Sequence, residues 1–261
     1  MRTVAGSFAE IDRVAASSPR MLVATDFDGT LCPIAHSPDA VAVPAIVSEL
    51  LQRLVSAGIV VAIISGRALD DLKRRLPVPA VFAGNDGLDI AGLGLRFEHA
   101  GACELSPMLT EVGHALRQTI ARWKGAFFED KRLTAAVHYR NVEVREQVEL
   151  VRAVRRCMSG YGTQFGMRIA RKAVDIRPRV AWGPGSCLNW IRESLHLESC
   201  PCICIGDESM FPADTGHLNV RVGLTGTSFA GFRAADVLEV VALLAHMERS
   251  VQRCAVQAQP A

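Results

Sequence analysis

Short apolar runs alternate with amphipathic segments along the first hundred positions. Met21–Thr25 and Ile59–Ile64 are mostly apolar and rich in β-branched residues, which is typical of strands buried on both faces. Between them, apolar residues recur at helical spacing from Pro44 to Gly58, which favours a helix that starts at the proline and ends at the glycine. Strand, helix and strand at this spacing predict a βαβ unit with parallel strands.

The same kind of pattern continues through Phe82 and returns in the last third of the chain. A first helix is predicted within residues 1–20, and the tail from Glu248 is predicted to be frayed. The further helices and strands predicted for this part are Ala68–Leu76, Gly185–Leu195 and Ala235–Met247, and Ala80–Phe82, Cys200–Ile205 and Asn219–Gly223. Alternating strands and helices predict an α/β fold with a parallel sheet and helices on both faces.

The middle of the chain follows a different pattern. Helix, hairpin, helix and hairpin succeed one another, which predicts a separate small α+β unit inserted into the core. The predicted elements are helices Pro107–Gly125 and Val142–Met158, and strands Ala126–Glu129, Leu133–Tyr139, Gly166–Ala170 and Ala173–Ile176, with Arg96–Ala100 as a further hairpin strand. We therefore expect a core made of residues 1–105 and 178–261, and a cap made of residues 106–177.

Composition adds few constraints. The 261 residues are 49% hydrophobic with a formal net charge of +2, so a sizeable core is available and the charge indicates no nucleic-acid or membrane partner. No apolar run reaches membrane-spanning length and no signal pattern opens the chain, so we expect a cytoplasmic protein, as a monomer or weak dimer. Cys200, Cys202 and Cys204 share one strand face; a metal site would need a second segment, and we favour buried small hydrophobes in a reducing cell.

Two aspartates follow the first buried strand. Residues i and i+2 of an extended chain face the same way, so Asp26 and Asp28 can converge on one point. Gly29 lets the backbone approach a bound group closely. The carboxyl ends of parallel strands are where open α/β sheets bind ligands. A carboxylate can attack phosphorus, and a neighbouring acid can protonate the leaving group. Mg²⁺ prefers oxygen ligands and would suit the same site. The alternative interpretation is an acidic turn between strand and helix.

The second strand is followed by Ser65-Gly66-Arg67. A hydroxyl and backbone N–H groups at the start of a helix suit a phosphate oxygen, although a simple serine helix cap is the alternative. Because Ser65 is expected at the same sheet edge as Asp26, we predict that Ser65 and Gly66, together with Gly29, bind phosphate.

These segments resemble a known superfamily. Asp26-Phe-Asp-Gly-Thr-Leu31 resembles the first motif of the haloacid dehalogenase (HAD) phosphatases, Ile64-Ser-Gly-Arg67 the second, and Gly206-Asp207-Glu208 the fourth. The resemblance implies a HAD-like Rossmannoid core in which Asp26 becomes an aspartyl phosphate. It implies that Asp28 protonates the leaving oxygen and later activates water. It also implies that Asp207 binds Mg²⁺, and we predict Asp26, Asp28 and Asp207 as the metal residues.

The inserted unit resembles the cap domain of trehalose-6-phosphate phosphatases. Glu129-Asp-Lys131, His138-Tyr-Arg140 and Asp175-Ile-Arg-Pro178 match three motifs of that cap, with Asp175 one methylene shorter than the family's Glu. The resemblance implies sugar contacts for Glu129, Lys131 and Asp175, and we include His138 and Arg140 in the predicted substrate set. Charged pairs suit hydroxyl-rich ligands, because each hydroxyl both donates and accepts. A solvated strand face is the alternative.

The resemblance breaks down at two positions. Pro184 stands where the family has a phosphate-binding lysine, and proline carries no side-chain donor. Phe211 stands where the family has an acid, which Asp214 could partly replace. Smaller departures are Asp86 for a His and Asp89 for a Glu. The cations that could replace the lysine are Arg67, Lys172 and Arg179.

Three functions remain open at this stage. The first is a Mg²⁺-dependent phosphatase that acts on trehalose 6-phosphate or a similar sugar phosphate, with reduced activity. The second is a pseudo-phosphatase that binds a sugar phosphate, or a trehalose-phosphate synthase as partner, without turnover. The third is a HAD phosphatase for another glycosyl phosphate. We predict the first, because both phosphatase motifs, Asp207 and the cap residues are present.

Overall fold

The computed structural model describes residues 2–18, 20–170, 172–211, 218–223 and 230–257. The chain divides into two compact units, Met1–Phe97 with Trp182–Ala261, and Glu98–Ala181. We refer to them as the first and the second unit, and each is described by itself.

The elements follow one another in the order that the sequence pattern indicates. Those up to the second unit are β1 Arg2–Thr3, α1 Val4–Ser17, β2 Leu22–Thr25, α2 Ala45–Ser56, β3 Val60–Ile64, α3 Leu69–Arg75, β4 Val81–Gly84, β5 Asp89–Gly92 and β6 Leu95–Glu98. Those of the second unit are α4 Ala100–Ile120, β7 Phe127–Asp130, β8 Ala135–His138, α5 Val144–Met158, β9 Phe165–Ala170 and β10 Ala173–Pro178. The remaining elements are α6 Pro184–Ser194, β11 Cys202–Gly206, β12 Leu218–Val222, β13 Phe232–Ala234 and α7 Val237–Gln257.

The first unit is built on one long sheet. Among the described residues its strand order is β1-β13-β12-β11-β2-β3-β4-β5-β6. The central strand β2 pairs in parallel with β11 on one side and with β3 on the other. β5 is antiparallel to β4, so one edge of the sheet departs from the parallel arrangement.

Alternate residues of the central strands face two different helix layers. Val23 and Ile203 belong to the apolar cluster that also contains residues of α1, α2, α3 and α7. Leu22 and Cys204 belong to a second cluster, on the other face, with residues of α6. This confirms the predicted α/β fold with helices on both faces, because a parallel sheet must bury both its faces.

The second unit is a four-stranded sheet covered by helices. Its strand order is β7-β8-β10-β9, and β8 is antiparallel to both β7 and β10. Val137 and Ile176 pack with Leu116 of α4 and Leu150 of α5 in a separate apolar cluster. The cap function that we assign to this unit stays a prediction.

Three predicted helix ends are wrong, and one of them is the end of α4, which stops at Ile120 and not at Gly125. α4 begins at Ala100, well before Pro107, because the ring nitrogen Nδ1 of His99 caps it by accepting from the Ala102 N–H at 3.3 Å. α7 runs on to Gln257 although we predicted fraying from Glu248. Its last turns have a partner in α1, since Arg253 donates from Nη2 to Oδ1 of Asp12 at 2.8 Å.

Short strands at the sheet edges escaped prediction. β1, β5 and β13 have two to four residues each, too few to show an alternating pattern. None of the eight cysteines, which all lie in the described ranges, forms a disulfide, and Cys202 and Cys204 are buried as expected. Among the helices that the structure describes, none combines the length and apolarity that crossing a membrane requires.

Candidate active site

Three predicted site residues lie just past the ends of three neighbouring parallel strands. Asp26 follows β2, Ser65 follows β3, and Asp207 follows β11. Because β2 lies between β3 and β11, these ends meet at one edge of the sheet. The backbone N–H of Asp26 donates to the carbonyl of Ile205 at 2.9 Å, which extends the pairing of β2 and β11 up to the aspartate.

Gly206 allows the two acidic strand ends to approach. Its φ is +156°, and a Cβ on this residue would lie 2.8 Å from Cβ of Asp26 and 2.7 Å from the sulfur of Met210. Real Cβ atoms do not tolerate such distances, so a side chain here would displace Asp26. The glycine therefore lets the end of β11 lie directly against the predicted nucleophile.

Asp28 is held by Arg67 through two parallel hydrogen bonds. Nε of Arg67 donates to Oδ2 at 2.7 Å, and Nη2 donates to Oδ1 at 2.8 Å. The remaining nitrogen, Nη1, donates to Oδ2 of Asp71 at 2.7 Å and to the carbonyl of Pro38 at 3.2 Å. Arg67 is only 7% exposed, so this arrangement excludes most water from the guanidinium.

The charges of this group shift its pKa values. Burial by itself lowers the pKa of Arg67, but the hydrogen bonds and charge of Asp28, and then those of Asp71, outweigh burial and raise the pKa above its ordinary value. Burial also works to raise the pKa of the Asp71 carboxyl, but hydrogen bonds from Arg75 and Arg67 outweigh it and lower the pKa below the ordinary 3.8. Burial, followed by the charge of Asp28, raises the pKa of the neighbouring Cys32 thiol to about 12, so this cysteine remains a thiol.

The predicted phosphate loop is braced by the residues after β4. Ser65 is 4% exposed, and its Oγ accepts from the Arg67 N–H at 3.3 Å. The Asp86 N–H donates to the Ser65 carbonyl at 2.8 Å, and the Asn85 N–H donates to the Arg67 carbonyl at 2.7 Å. Asn85 and Asp86 adopt positive φ values of 54° and 56°, an uncommon conformation outside glycine.

The two glycines of the predicted phosphate site have different surroundings. A Cβ on Gly66 would lie 3.2 Å from Oδ1 of Asp86, so the carboxylate of Asp86 lies against this loop. Gly29 has a φ of +84°, and its N–H donates to the carbonyl of Cys32 at 2.8 Å. Gly29 therefore shapes the turn after Asp28, and its phosphate contact stays a prediction.

The acidic residues fit a hard cation in part. Oδ1 of the exposed Asp207 accepts from the Ser209 N–H at 2.9 Å and also from the Ser209 hydroxyl. Within the described ranges, no three or more His, Cys, Asp or Glu side chains are gathered as a metal site. Mg²⁺ is commonly held by one or two carboxylates with several waters, so the donor chemistry of Asp26 and Asp207 suits it. The two oxygens of Asp28 bond to Arg67, and its role as a ligand stays a prediction.

The positions that depart from the family have structural roles. Pro184 is the first residue of α6, where a missing N–H costs nothing. Phe211 packs against the apolar cluster under α6. Asp214 lies outside the described residues.

The three candidate cations have different partners. Arg67 binds Asp28, as described above. Lys172 donates to Gln147 at 2.8 Å and Arg179 donates to the Gly162 carbonyl at 2.8 Å, both within the second unit. Arg67 is therefore the candidate that the structure ties directly to a predicted catalytic residue.

The predicted sugar residues of the second unit share one sheet face. Glu129 pairs with Ala136, and Ala136 pairs with Asp175, so the three side chains point to the same side. Their neighbours Val137 and Ile176 point to the opposite side and pack under the helices. Alternation along the strands thus separates a polar face from an apolar one.

Several charged groups on this polar face contact one another. Oε2 of Glu129 lies 2.6 Å from Nε2 of His138 and 3.8 Å from Nζ of Lys131. The His138 ring stacks on Phe127, with centroids 4.5 Å apart. Asp175 lies on β10, two strands away from Glu129. It accepts a hydrogen bond from Arg168 at 3.4 Å. Arg140 lies in the exposed turn after β8.

Sequence reasoning missed two neighbours of these groups. Asp71 binds Arg67 from one helical turn further on, and the i, i+4 spacing of an acid and a base was a usable signal. Phe127 stands two residues before Glu129, and the period of a strand places it on the same face.

Comparison with solved structures identifies the fold. A haloacid dehalogenase-like hydrolase from Bacteroides thetaiotaomicron superposes with a TM-score of 0.60 at 16% identity, covering 88% of this chain and 99% of its own. A trehalose-6-phosphate phosphatase related protein superposes with a TM-score of 0.78 at 21% identity, covering 89% of this chain and 99% of its own. The C-terminal domain of the Candida albicans trehalose synthase regulatory protein superposes with a TM-score of 0.67 at 15% identity, covering 92% of this chain and 97% of its own. The fold is that of the HAD-like hydrolases.

Sequence comparison identifies the family. The trehalose-phosphatase family model matches residues 24–215. A trehalose-phosphate phosphatase of Mycobacterium tuberculosis is 34% identical over 188 residues, 70% of this chain and 47% of its own length. An uncharacterized glycosyl hydrolase of the same organism is 37% identical over 241 residues, 90% of this chain and 17% of its own length. The chain belongs to the trehalose-phosphatase family, and it spans less than half the length of these two relatives.

Proposed function

We propose that the chain is a Mg²⁺-dependent phosphatase that hydrolyses a sugar phosphate, with trehalose 6-phosphate as its preferred substrate. The observation that carries this proposal is the meeting of Asp26, Ser65 and Asp207 at one edge of the parallel sheet. Membership of the trehalose-phosphatase family supports the choice of substrate.

The proposed reaction has two displacements at phosphorus. A carboxylate oxygen of Asp26 attacks phosphorus, the bond from phosphorus to the sugar oxygen breaks, and Asp28 gives its proton to that oxygen. Water then attacks the aspartyl phosphate on Asp26 and gives a proton to Asp28. The bond between Asp26 and phosphorus breaks, so inorganic phosphate leaves and both carboxyl groups return to their starting forms.

Positioning and charge neutralisation make up most of the catalysis of phosphoryl transfer. In the proposed site, the Ser65 hydroxyl and the backbone around Gly66 bind phosphate oxygens, and the guanidinium of Arg67 supplies positive charge. Asp26 and Asp207 would hold Mg²⁺. When bound, the ion would offset the negative charge that builds up on the phosphoryl oxygens.

We assign recognition of the sugar to the polar face of the second unit. Glu129, Lys131, His138 and Asp175 offer both donors and acceptors, and Arg140 follows the same strand as His138. Sugar hydroxyls both donate and accept, so a mixed set of charged groups can bind several of them at once.

A second candidate is a regulatory relative that binds a sugar phosphate without turnover. The proline at position 184 favours it, because proline offers no side-chain donor to a phosphate. The shared fold with the Candida albicans regulatory domain fits this candidate, and a trehalose-phosphate synthase is the partner that we would then test.

A phosphate-release assay separates these candidates. The purified chain with Mg²⁺ is given a panel of sugar phosphates that includes trehalose 6-phosphate, and free phosphate is measured with malachite green. We expect release that stops in Asp26→Asn and on chelation of Mg²⁺, and that continues in the control Asp39→Asn, whose side chain is 99% exposed.

Each other result of this assay has a defined meaning. A faster turnover of another glycosyl phosphate would replace trehalose 6-phosphate as the substrate. No release from any member of the panel, with calorimetric binding of trehalose 6-phosphate retained, would refute the phosphatase and support the regulatory candidate. Release that survives Asp26→Asn would refute the assigned nucleophile.

A further inference from the structure

A chain of ion pairs runs from Asp28 through Arg67 to Asp71. Nε and Nη2 of Arg67 donate to the two oxygens of Asp28, and Nη1 donates to Asp71. Asp71 also accepts from Nε of Arg75, at 2.8 Å to Oδ2 and 2.9 Å to Oδ1. Arg75 in turn donates to the carbonyl of Val41 at 2.6 Å. The guanidinium of Arg67 is thus fixed on both sides, and its position is set by α3.

Arg67 also belongs to the backbone of the predicted phosphate loop. Its N–H donates to Oγ of Ser65, and its carbonyl accepts from Asn85. The same residue therefore connects the end of β3 to the carboxylate that follows β2. Any shift of the Ser65 loop changes the position of the guanidinium that holds Asp28.

We propose that Arg67 is the positioning residue that fixes Asp28 for its acid–base role, and that Asp71 keeps Arg67 in place. This inference rests on the proposed function, because it presumes that Asp28 exchanges protons with substrate and water. Two parallel N–H donors match two carboxylate oxygens only in a guanidinium, so a lysine would keep the charge but lose the orientation.

The hold fixes the direction in which the carboxyl group of Asp28 faces. Nε and Nη2 of Arg67 engage its two oxygens in parallel, and Asp71 fixes the same guanidinium through Nη1. The carboxyl group therefore cannot rotate without breaking both hydrogen bonds to Arg67.

The leaving group provides the test. A sugar oxygen needs a proton from Asp28, whereas p-nitrophenolate leaves as an anion. Single-turnover phosphoryl transfer is measured with a sugar phosphate and with p-nitrophenyl phosphate, in the unchanged chain and in Arg67→Lys. We expect the rate with the sugar phosphate to fall about 10²-fold, within the range that general acid catalysis contributes. We expect the p-nitrophenolate burst to fall less than about fivefold, since that step needs no proton.

Controls separate this role from a general loss of structure. Arg53→Lys alters another ion-paired arginine of the first unit, bonded to Glu248 at 2.6 Å, and should leave both rates unchanged. Circular dichroism checks that each variant is folded. If Arg67→Lys does not fold, Asp71→Asn still carries the comparison, and we expect Asp71→Asn to show the same selective loss to a smaller degree.

A double variant completes the experiment. If Arg67 acts through Asp28, Arg67→Lys combined with Asp28→Asn should be no slower than Asp28→Asn alone. Equal losses with both substrates, or losses that multiply in the double variant, would overturn the positioning role while leaving the phosphatase intact. No phosphate release by the unchanged chain would overturn the proposed function, and this inference with it.

Discussion

The two units arrange their polar groups in different ways. In the first unit, charged side chains lie in loops past the ends of parallel strands, and backbone hydrogen bonds and a glycine contact fix them. In the second unit, they lie on the strands themselves, in register across an antiparallel sheet.

This difference bears on what each unit can tolerate. Side chains on a strand face keep their direction as long as the sheet pairs correctly, because the pleat sets it. Groups at strand ends depend on individual contacts such as Gly206 against Asp26 and Arg67 against Asp28. We therefore expect backbone changes to damage the first unit's site, and side-chain changes in the second unit to have graded effects.

The largest expected effect comes from Gly206→Ala. The added Cβ would meet Cβ of Asp26 at 2.8 Å and force the proposed nucleophile aside. A displacement of about 1 Å can cost roughly 10²-fold in rate, so we expect phosphate release to fall by about that factor. The control is Gly231→Ala, where a Cβ would meet nothing within 4 Å. Equal rates for the two variants would break the contrast between the units.

A smaller effect is expected from Glu129→Gln in the second unit. The substitution keeps the shape but removes the charge next to His138 and Lys131, so we expect KM for the sugar phosphate to rise about tenfold, the loss of one charged hydrogen bond. Turnover of p-nitrophenyl phosphate should not change. The control Glu143→Gln alters an exposed acid of the same unit. A lower kcat with unchanged KM would contradict a role in sugar binding.

Asp71→Asn tests the ion-pair chain through pH. The folded-state pKa of Asp71 is lowered, so its stabilising effect is present above the unfolded pKa near 3.8 and is lost as pH falls through the folded value. Urea unfolding should show a loss of about 1–2 kcal/mol at pH 7, from weakened charged hydrogen bonds. The difference in the free energy of unfolding between the variant and the unchanged chain should become smaller towards pH 3.

The matched control for this change is Asp70→Asn. Asp70 is the exposed neighbour on the same helix turn, and we expect its loss to change stability by less than about 0.5 kcal/mol at either pH. A gap that stays constant with pH would show that Asp71 contributes through packing and not through its charge.

The smallest effect is expected from Phe127→Leu. The variant removes the ring that stacks on His138 and keeps a similar apolar volume. Aromatic pairs are worth about 0.5–1.5 kcal/mol, and Phe127 is 38% exposed, so we expect the lower part of that range, about 0.5–1 kcal/mol. KM for the sugar phosphate should then rise about two- to fivefold with kcat retained. The same measurement on p-nitrophenyl phosphate is the reference. An unchanged KM would show that Phe127 does not orient His138.

The contrast between the units also explains what could be predicted from the sequence. The succession of apolar runs and amphipathic segments predicted the parallel core. The strand ends at Asp26, Ser65 and Asp207 followed from that prediction. The contact of Arg67 with Asp28 joins residues 39 positions apart, and it depends on how β2 and β3 align, which no local pattern encodes. The close approach at Gly206 is likewise invisible before the strands are paired.

Helix ends show a related difficulty. α4 starts at a histidine cap, and histidine is not among the usual capping residues, so the proline at position 107 was a misleading signal. α7 persists because Asp12, more than two hundred residues away, bonds to Ser250 and Arg253. Such tertiary partners override local propensity.

The residues that brace the predicted phosphate loop also contact a tryptophan. Nε1 of Trp182 donates to the carbonyl of Gly87 at 2.7 Å, and the indole stacks on Phe97 with centroids 4.9 Å apart. Gly87 directly follows the two residues that bond to the backbone of Ser65 and Arg67. Emission from this indole should therefore respond when an anion reaches the loop, so that ligand arrival can be timed by fluorescence without attaching a dye.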